Sequence, residues 1–315
     1  MQNIEKSEHI SNNDEIDLLD LYRVLLKGKW VILCLSTFAL IASIIYSLSL
    51  ANIYQSSALL NPVESEDKIS GSLNNISGLA SIAGIDISSQ GGDSNVPKAI
   101  LKAGSLSFFE NNILPNIYLP ELMAVKYWDQ ETGSLVFDED IYNTKSNMWV
   151  RNFSYPQKKI PSPQESFKVF KQDHFSINQD KKNGFITLTI RHQSPYIAKK
   201  WSELIINQIN TYYREKDKES AIRSVNYINM QISKANLSEI KQVLAQLLQN
   251  ETQKLTLIES NEAYVFDFID PPAVMEKKSD PQRALICILG LLLGGIMSTI
   301  FVLVRHYAIK ETTSI

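Results

Sequence analysis

Val31 to Ala51 reads VILCLSTFALIASIIYSLSLA, and Ala284 to Val304 reads ALICILGLLLGGIMSTIFVLV. Each run has 21 residues and no Asp, Glu, Lys, Arg or His. At about 1.5 Å of rise per helical residue, each spans roughly 30 Å, the hydrocarbon thickness of a bilayer. The expectation is two membrane helices with a polar segment between them. Residues 1–29 form a short lead-in, 30–51 the first span, 52–283 the main domain, 284–304 the second span and 305–315 a tail. A cleaved signal peptide is the competing reading of the first run. Six acidic residues in the 29 residues before it, and its length, speak against that. A buried core helix competes for the second run, although such helices rarely stay charge-free for so long.

Basic residues orient the spans. Arg23, Lys27 and Lys29 precede the first run, and no Lys or Arg follows it until Lys68. Cytoplasmic flanks carry the Lys and Arg excess, so the N-terminus is expected inside, the main domain outside and the tail inside. Lys277, Lys278 and Arg283 before the second run point the other way, but the first span usually dominates and long loops translocate largely regardless of charge. Residues 52–283 would then lie outside the cytoplasmic membrane, with both termini inside.

Residues 52–283 carry 25 Lys and Arg against 27 Asp and Glu, a net of −2. That balance argues against a nucleic-acid partner, which needs a basic face. Both cysteines, Cys34 and Cys287, fall inside the apolar runs, so the main domain has no disulfide to lean on. A sensory output module has no room in the short lead-in and tail.

The expected architecture is α+β: a membrane-proximal α/β base with long extended helices. Asp17 to Leu26 reads as a short amphipathic helix or a plain juxtamembrane extension. Ile53 to Leu60 and Tyr264 to Ile269 read as strands that could pair, because each lies next to a span. Within the Ser/Gly-rich stretch 64–94, Leu73 to Ile85 carries helical spacing, with a mobile loop as the alternative. Lys98 to Leu114 reads as one helix, and 116–163 as irregular. Gln164 to Gln172 reads as a short helix. Phe175 to Asn178 and Phe185 to Arg191 form a hairpin around Lys182-Asn183-Gly184, with Ile186, Leu188 and Ile190 facing the core.

No Gly or Pro interrupts Tyr196 to Glu262. Pro195 opens a helix with Ser194 as its cap, and Ile197, Trp201, Leu204, Ile205, Ile209 and Tyr212 form its apolar stripe. As one rod to Lys234 it would measure about 60 Å. The charged REKDKES (Arg214 to Ser220) would then be solvated or subunit-facing; otherwise the rod breaks near Lys218. Asn236 and Glu239 have capping-box spacing for a second helix.

Catalytic, cofactor and metal sites are not expected. His9, His174, His192 and His306 are scattered, and there is no HExxH, GxSxG or clustered Cys/His spacing. Glu139 with Asp140, or Glu64, Glu66 and Asp67, could be posed as glycosidase carboxylates but read better as solvated loop acids. The candidate sites are for packing. Gly290, Gly294 and Ser298 place small residues every four positions, a face on which helices approach closely in lipid. The partner would be the first span, a sister subunit or a membrane enzyme; ordinary glycine usage is the alternative. Pro271, Pro272 and Pro281 would stiffen the approach to the second span, or serve as a plain linker.

Three stretches carry a family likeness. IDLLDLYRVLLKGKW (Ile16 to Trp30), YQSSALLNP (Tyr54 to Pro62) and IDPPAVMEKKSDPQRALICILGLLLGG (Ile269 to Gly295) resemble the polysaccharide co-polymerases, the Wzz-type chain-length determinants. The resemblance implies a non-catalytic regulator of O-antigen or related glycan length. It implies a homo-oligomeric ring in the inner membrane, in contact with lipid, a membrane polysaccharide polymerase and a lipid-linked glycan. The family's longer relatives carry a P-loop kinase. SGLASIAGI (Ser77 to Ile85) is similar to those relatives, but no GxxxxGK[ST] occurs and the tail leaves no room for the domain. An export adaptor or a periplasmic ligand-binding module is the alternative function. A hydrolase or transferase has no supporting constellation.

Overall fold

A computed structural model describes residues 18–63, 95–261 and 263–312. The chain separates into two compact units, one of residues 1–51 with 280–315 and one of residues 52–279. The expected helix at Leu73 to Ile85, the SGLASIAGI stretch and Glu64, Glu66 and Asp67 lie outside the described residues.

The first unit is helical. α1 spans Leu18–Lys27, α2 Lys29–Ser49 and, last in the chain, α9 Arg283–Thr312. Lys29–Ser49 and Arg283–His306 are each long and apolar enough to cross a membrane. The first ends two residues earlier than the apolar run suggests, because Leu50 turns to extended backbone. The last helix instead continues past Val304 into the polar tail.

In the second unit the helices and strands are β1 (Tyr54–Pro62), α3 (Asn95–Ala103), α4 (Leu106–Phe108), α5 (Leu119–Met123), β2 (Val125–Trp128), β3 (Leu135–Phe137), β4 (Tyr142–Asn143) and β5 (Met148–Trp149). They continue with α6 (Pro163–Val169), β6 (Phe175–Gln179), β7 (Ile186–His192), α7 (Pro195–Lys234), α8 (Ser238–Ser260) and β8 (Phe266–Asp270).

A four-stranded sheet in the order β6-β7-β1-β8 organises this unit, with every pairing antiparallel. The hairpin forms where the alternation placed it. Ile186, Leu188 and Ile190 are buried, and Gly184 sits at φ +77°, where a side chain would be strained. β1 pairs with β7 from Tyr54↔His192 to Leu60↔Ile186. Its other edge takes β8, through Leu60↔Phe268 and Pro62↔Phe266, with a bulge at Leu59 and Leu60. The two span-adjacent segments therefore do pair.

α7 lays its first half on this sheet. Ile197, Ala198, Trp201, Ile205, Ile206, Ile209 and Tyr213 are buried, while Leu204 and Tyr212 of the expected stripe are half-buried. Phe108, Phe109, Ile113, Phe170 and Phe266 complete the core. Each side chain removed from water here stabilises the unit by about 1.5–3 kcal/mol.

Three local expectations are corrected. The helix expected over Lys98 to Leu114 breaks at Gly104. Ser105 there takes an extended conformation, and its Oγ accepts the Phe108 N–H at 3.3 Å, so the hydroxyl starts a new turn. The chain then passes through a π-helical turn, Phe109–Ile113, that buries both of its apolar ends. Residues 116–163 are not irregular throughout: they hold α5 and two small hairpins, β2–β3 and β4–β5, around Tyr142 and Trp149. Neither anticipated cap forms. Ser194 occupies the N-cap of α7 without a side-chain bond, its own N–H donating to His192 Nδ1 at 2.9 Å. α8 starts at Ser238 behind Leu237, so Asn236 and Glu239 make no capping box.

Candidate functional site

The small-residue row of α9 faces α2. A Cβ added at Gly290 would lie 2.5 Å from the Ser43 side chain, and one at Gly294 would lie 2.5 Å from Ala39 Cβ. One step further, Ser298 is fully buried, with its Oγ 3.4 Å from Ser36 Oγ and 2.9 Å from the Gly295 carbonyl that accepts its proton. Gly28, between α1 and α2, meets Val302 of α9 in the same way. The row is therefore a seam within one chain: serines and alanines on α2 set against glycines on α9. In lipid, where no hydrophobic effect drives helices together, such backbone proximity supplies dispersion and weak polar contacts. The opposite faces, including Leu33, Phe38, Leu289, Leu293 and Met297, are exposed apolar surface.

The proline segment runs beside β1. Pro272 is buried and Pro271 exposed. Ser56 Oγ donates to the Ala273 carbonyl at 2.9 Å, and the Ser279 N–H donates to the Ile53 carbonyl at 2.8 Å. Residues 273–279 are thus tied to the strand that follows the first span. Pro281 opens the final residues before α9.

α7 is a single rod of 40 residues, and α8 folds back along its second half. The charged REKDKES belt does not stand free in solvent. Arg214 Nη2 donates to the Asn261 carbonyl at 2.8 Å, Tyr264 Oη donates to Asp217 at 2.7 Å, and Lys218 pairs with Glu259 at 2.9 Å. Burial, then the Asp217 bond, push the Tyr264 phenol well above its ordinary range. Beyond the belt Ala221, Ile228, Leu244 and Ile258 are buried between the two helices, whereas Tyr227, Met230, Leu237 and Leu257 are exposed.

Chemistry-bearing residues are placed as follows. His174 and His192 come together, their rings 5.5 Å apart and both against Trp201. His174 Nδ1 lies 2.7 Å from the Arg191 carbonyl and His192 Nε2 3.0 Å from the Glu121 carbonyl. Burial lowers both, His192 to about 3, so they are neutral core groups. Sequence separation hid this pair; the signal was their position flanking a hairpin. Glu139 and Asp140 are exposed in a turn where Glu139 accepts from Thr144. Among the described residues, no group of three His, Cys, Asp or Glu could hold a metal ion.

Comparison with known proteins gives matches to two family models. Residues 14–106 match the family model described as Wzz, chain length determinant protein. Residues 234–307 match a second, described as GNVR, a G-rich domain on putative tyrosine kinase. Two of the stretches quoted above fall within the first match, so the resemblance to Wzz-type chain-length determinants is borne out; Ile269 to Gly295 falls within the second. No curated protein matches the chain. Among solved structures, a full-length bacterial polysaccharide co-polymerase aligns at TM-score 0.41 with 14% identity, covering 93% of this chain and 99% of that one. A fragment of WzzB, a polysaccharide co-polymerase from Salmonella Typhimurium, aligns at TM-score 0.30 with 9% identity, covering 73% and 100%.

Proposed function

We propose that the protein is a non-catalytic, homo-oligomeric regulator of polysaccharide chain length in a bacterial inner membrane. It acts beside a membrane polymerase on a lipid-linked glycan, with O-antigen as the product class to test first. The observation that carries this reading is the chain length determinant match over residues 14–106, on a chain with two helices long and apolar enough to cross a membrane. The exposed Tyr227, Met230, Leu237 and Leu257 on the α7–α8 hairpin support self-association, because large apolar side chains on an outer helical surface gain from burial against a second copy. A ring of such rods repeats one surface many times. A growing glycan or its polymerase held there would stay engaged longer, which shifts the balance from release toward extension.

A clean deletion tests this. The expected result is surface polymer of normal abundance whose preferred length is lost, restored by the wild-type gene. Total loss of surface polymer would instead indicate an export adaptor. A hydrolase or transferase activity in the purified protein would overturn the non-catalytic reading.

A further inference from the structure

A cavity of about 450 Å³ opens where β1 begins and β7 ends. Ile53, Leu122 and Met123 make an apolar wall, and Asp173, His174, Arg191 and Gln193 supply the polar groups used here. The supply is unbalanced. Arg191 and Asp173 have no ion-pair partner among the described residues. Gln193 Oε1 is buried without any hydrogen bond. His174 is a neutral imidazole whose Nδ1 proton goes to the Arg191 carbonyl, which leaves its Nε2 as an acceptor. His192 offers nothing further, because both of its ring nitrogens are engaged.

From this donor and acceptor set we propose that the cavity binds one ring of a neutral sugar. Gln193 Oε1 is buried without a donor, His174 Nε2 is a second acceptor, the exposed Asp173 carboxylate adds a third, and Arg191 adds donors. A ring of hydroxyls matches both kinds of group, since each hydroxyl donates and accepts. An anionic sugar would satisfy Arg191 but face the Asp173 carboxylate. The apolar wall suits the C–H face of a pyranose. The volume lies within the range of ligand sites, ~300–1,000 Å³, and has room for a pyranose ring. This inference rests on the proposed role in glycan synthesis and gives it a point of contact with the polymer.

The test is saturation-transfer NMR on the full chain in nanodiscs. The probes are methyl α-mannoside, methyl β-galactoside, N-acetylglucosamine and glucuronic acid. At least one neutral sugar is expected to bind, with Asp173→Asn and Arg191→Gln each weakening it about tenfold or more through lost hydrogen bonds. The exposed-turn variant Lys182→Ala should bind as wild type. Circular dichroism and melting curves verify that the variants fold; should Arg191→Gln unfold, Gln193→Leu replaces it. Binding of none of the four probes, binding of glucuronic acid alone, or neutral-sugar binding unmoved by the variants would each overturn the proposal. The deletion phenotype is read separately. Lost length control without sugar binding removes the cavity site and leaves the chain-length role standing, and the converse removes only that role.

Discussion

Asn210 shows how one side chain can join two distant parts of the chain. It is buried on α7, where its Oδ1 accepts the Val265 and Phe266 N–H groups at 3.0 and 2.9 Å, and its Nδ2 donates to the Phe266 carbonyl at 2.9 Å. The amide thus satisfies the backbone of β8 as a neighbouring strand would. Asn210→Leu leaves three buried backbone groups without partners. It should lower the unfolding free energy by about 2–4 kcal/mol in urea titrations of the detergent-solubilised protein. The histidine pair gives a second residue-scale prediction, with a defined sign. Burial holds His174 and His192 below their ordinary value, His192 at about 3. Well above pH 6.5 neither the folded nor the unfolded chain binds these protons. As pH falls below 6.5 the unfolded chain takes them up first, so stability is lost, at up to ~1.4 kcal/mol per pH unit for each histidine until its folded-state value is reached, about 3 for His192. Urea unfolding between pH 6.5 and 5 should show that slope, and His192→Asn should make it shallower. An unchanged slope would mean that the ring is not the titrating group.

At the scale of elements, the α2–α9 seam makes a geometric claim that chemistry can check. Ser36 and Ser298 Oγ atoms are 3.4 Å apart, so Ser36→Cys with Ser298→Cys, in a background lacking Cys34 and Cys287, should form an intramolecular disulfide under mild oxidation. Adding Gly294→Leu drives a branched side chain into Ala39 and Ser36 and should abolish the bridge. Crosslinking that persists would show the helices packed elsewhere. Much of this scale could be read from sequence, and the reasons are physical. The β6–β7 hairpin announced itself because Ile186, Leu188 and Ile190 alternate with polar residues across a Gly turn. The two long apolar helices announced themselves through 21-residue runs without charge. The spacing of Gly290, Gly294 and Ser298 marked a small-residue face in the sequence, while the contacts with Ser43, Ala39 and Ser36 depend on how α2 is placed. The β2–β3 and β4–β5 hairpins stayed hidden because strands of two to four residues are too short for a period. The break at Gly104 was masked by apolar spacing that continues across it. The cavity was invisible because Ile53, Asp173 and Arg191 meet only through the sheet register.

For the whole molecule, sidedness is the claim on which a role outside the cytoplasm depends. It comes from Arg23, Lys27 and Lys29 set against the absence of basic residues from Val31 to Asp67. Translocating that lead-in would carry four cations across the membrane, three of them next to the span, while translocating the segment after the first span carries none nearby. Two single cysteines in the same Cys-free background test it. Ser154→Cys lies on an exposed loop, and Ser7→Cys lies in the lead-in. A membrane-impermeant maleimide added to intact spheroplasts should label the first at once and the second only after permeabilisation. The reverse pattern would place the sheet and the α7–α8 rod in the cytoplasm, away from any periplasmic polymer. Loss of the Ser7→Cys position from the mature chain would show the first apolar run to be a cleaved signal rather than α2 of a seam. Full labelling of Ser154→Cys with protection of Ser7→Cys is the only outcome under which the α2–α9 pair anchors the sugar-sized cavity on the side where a surface glycan is lengthened.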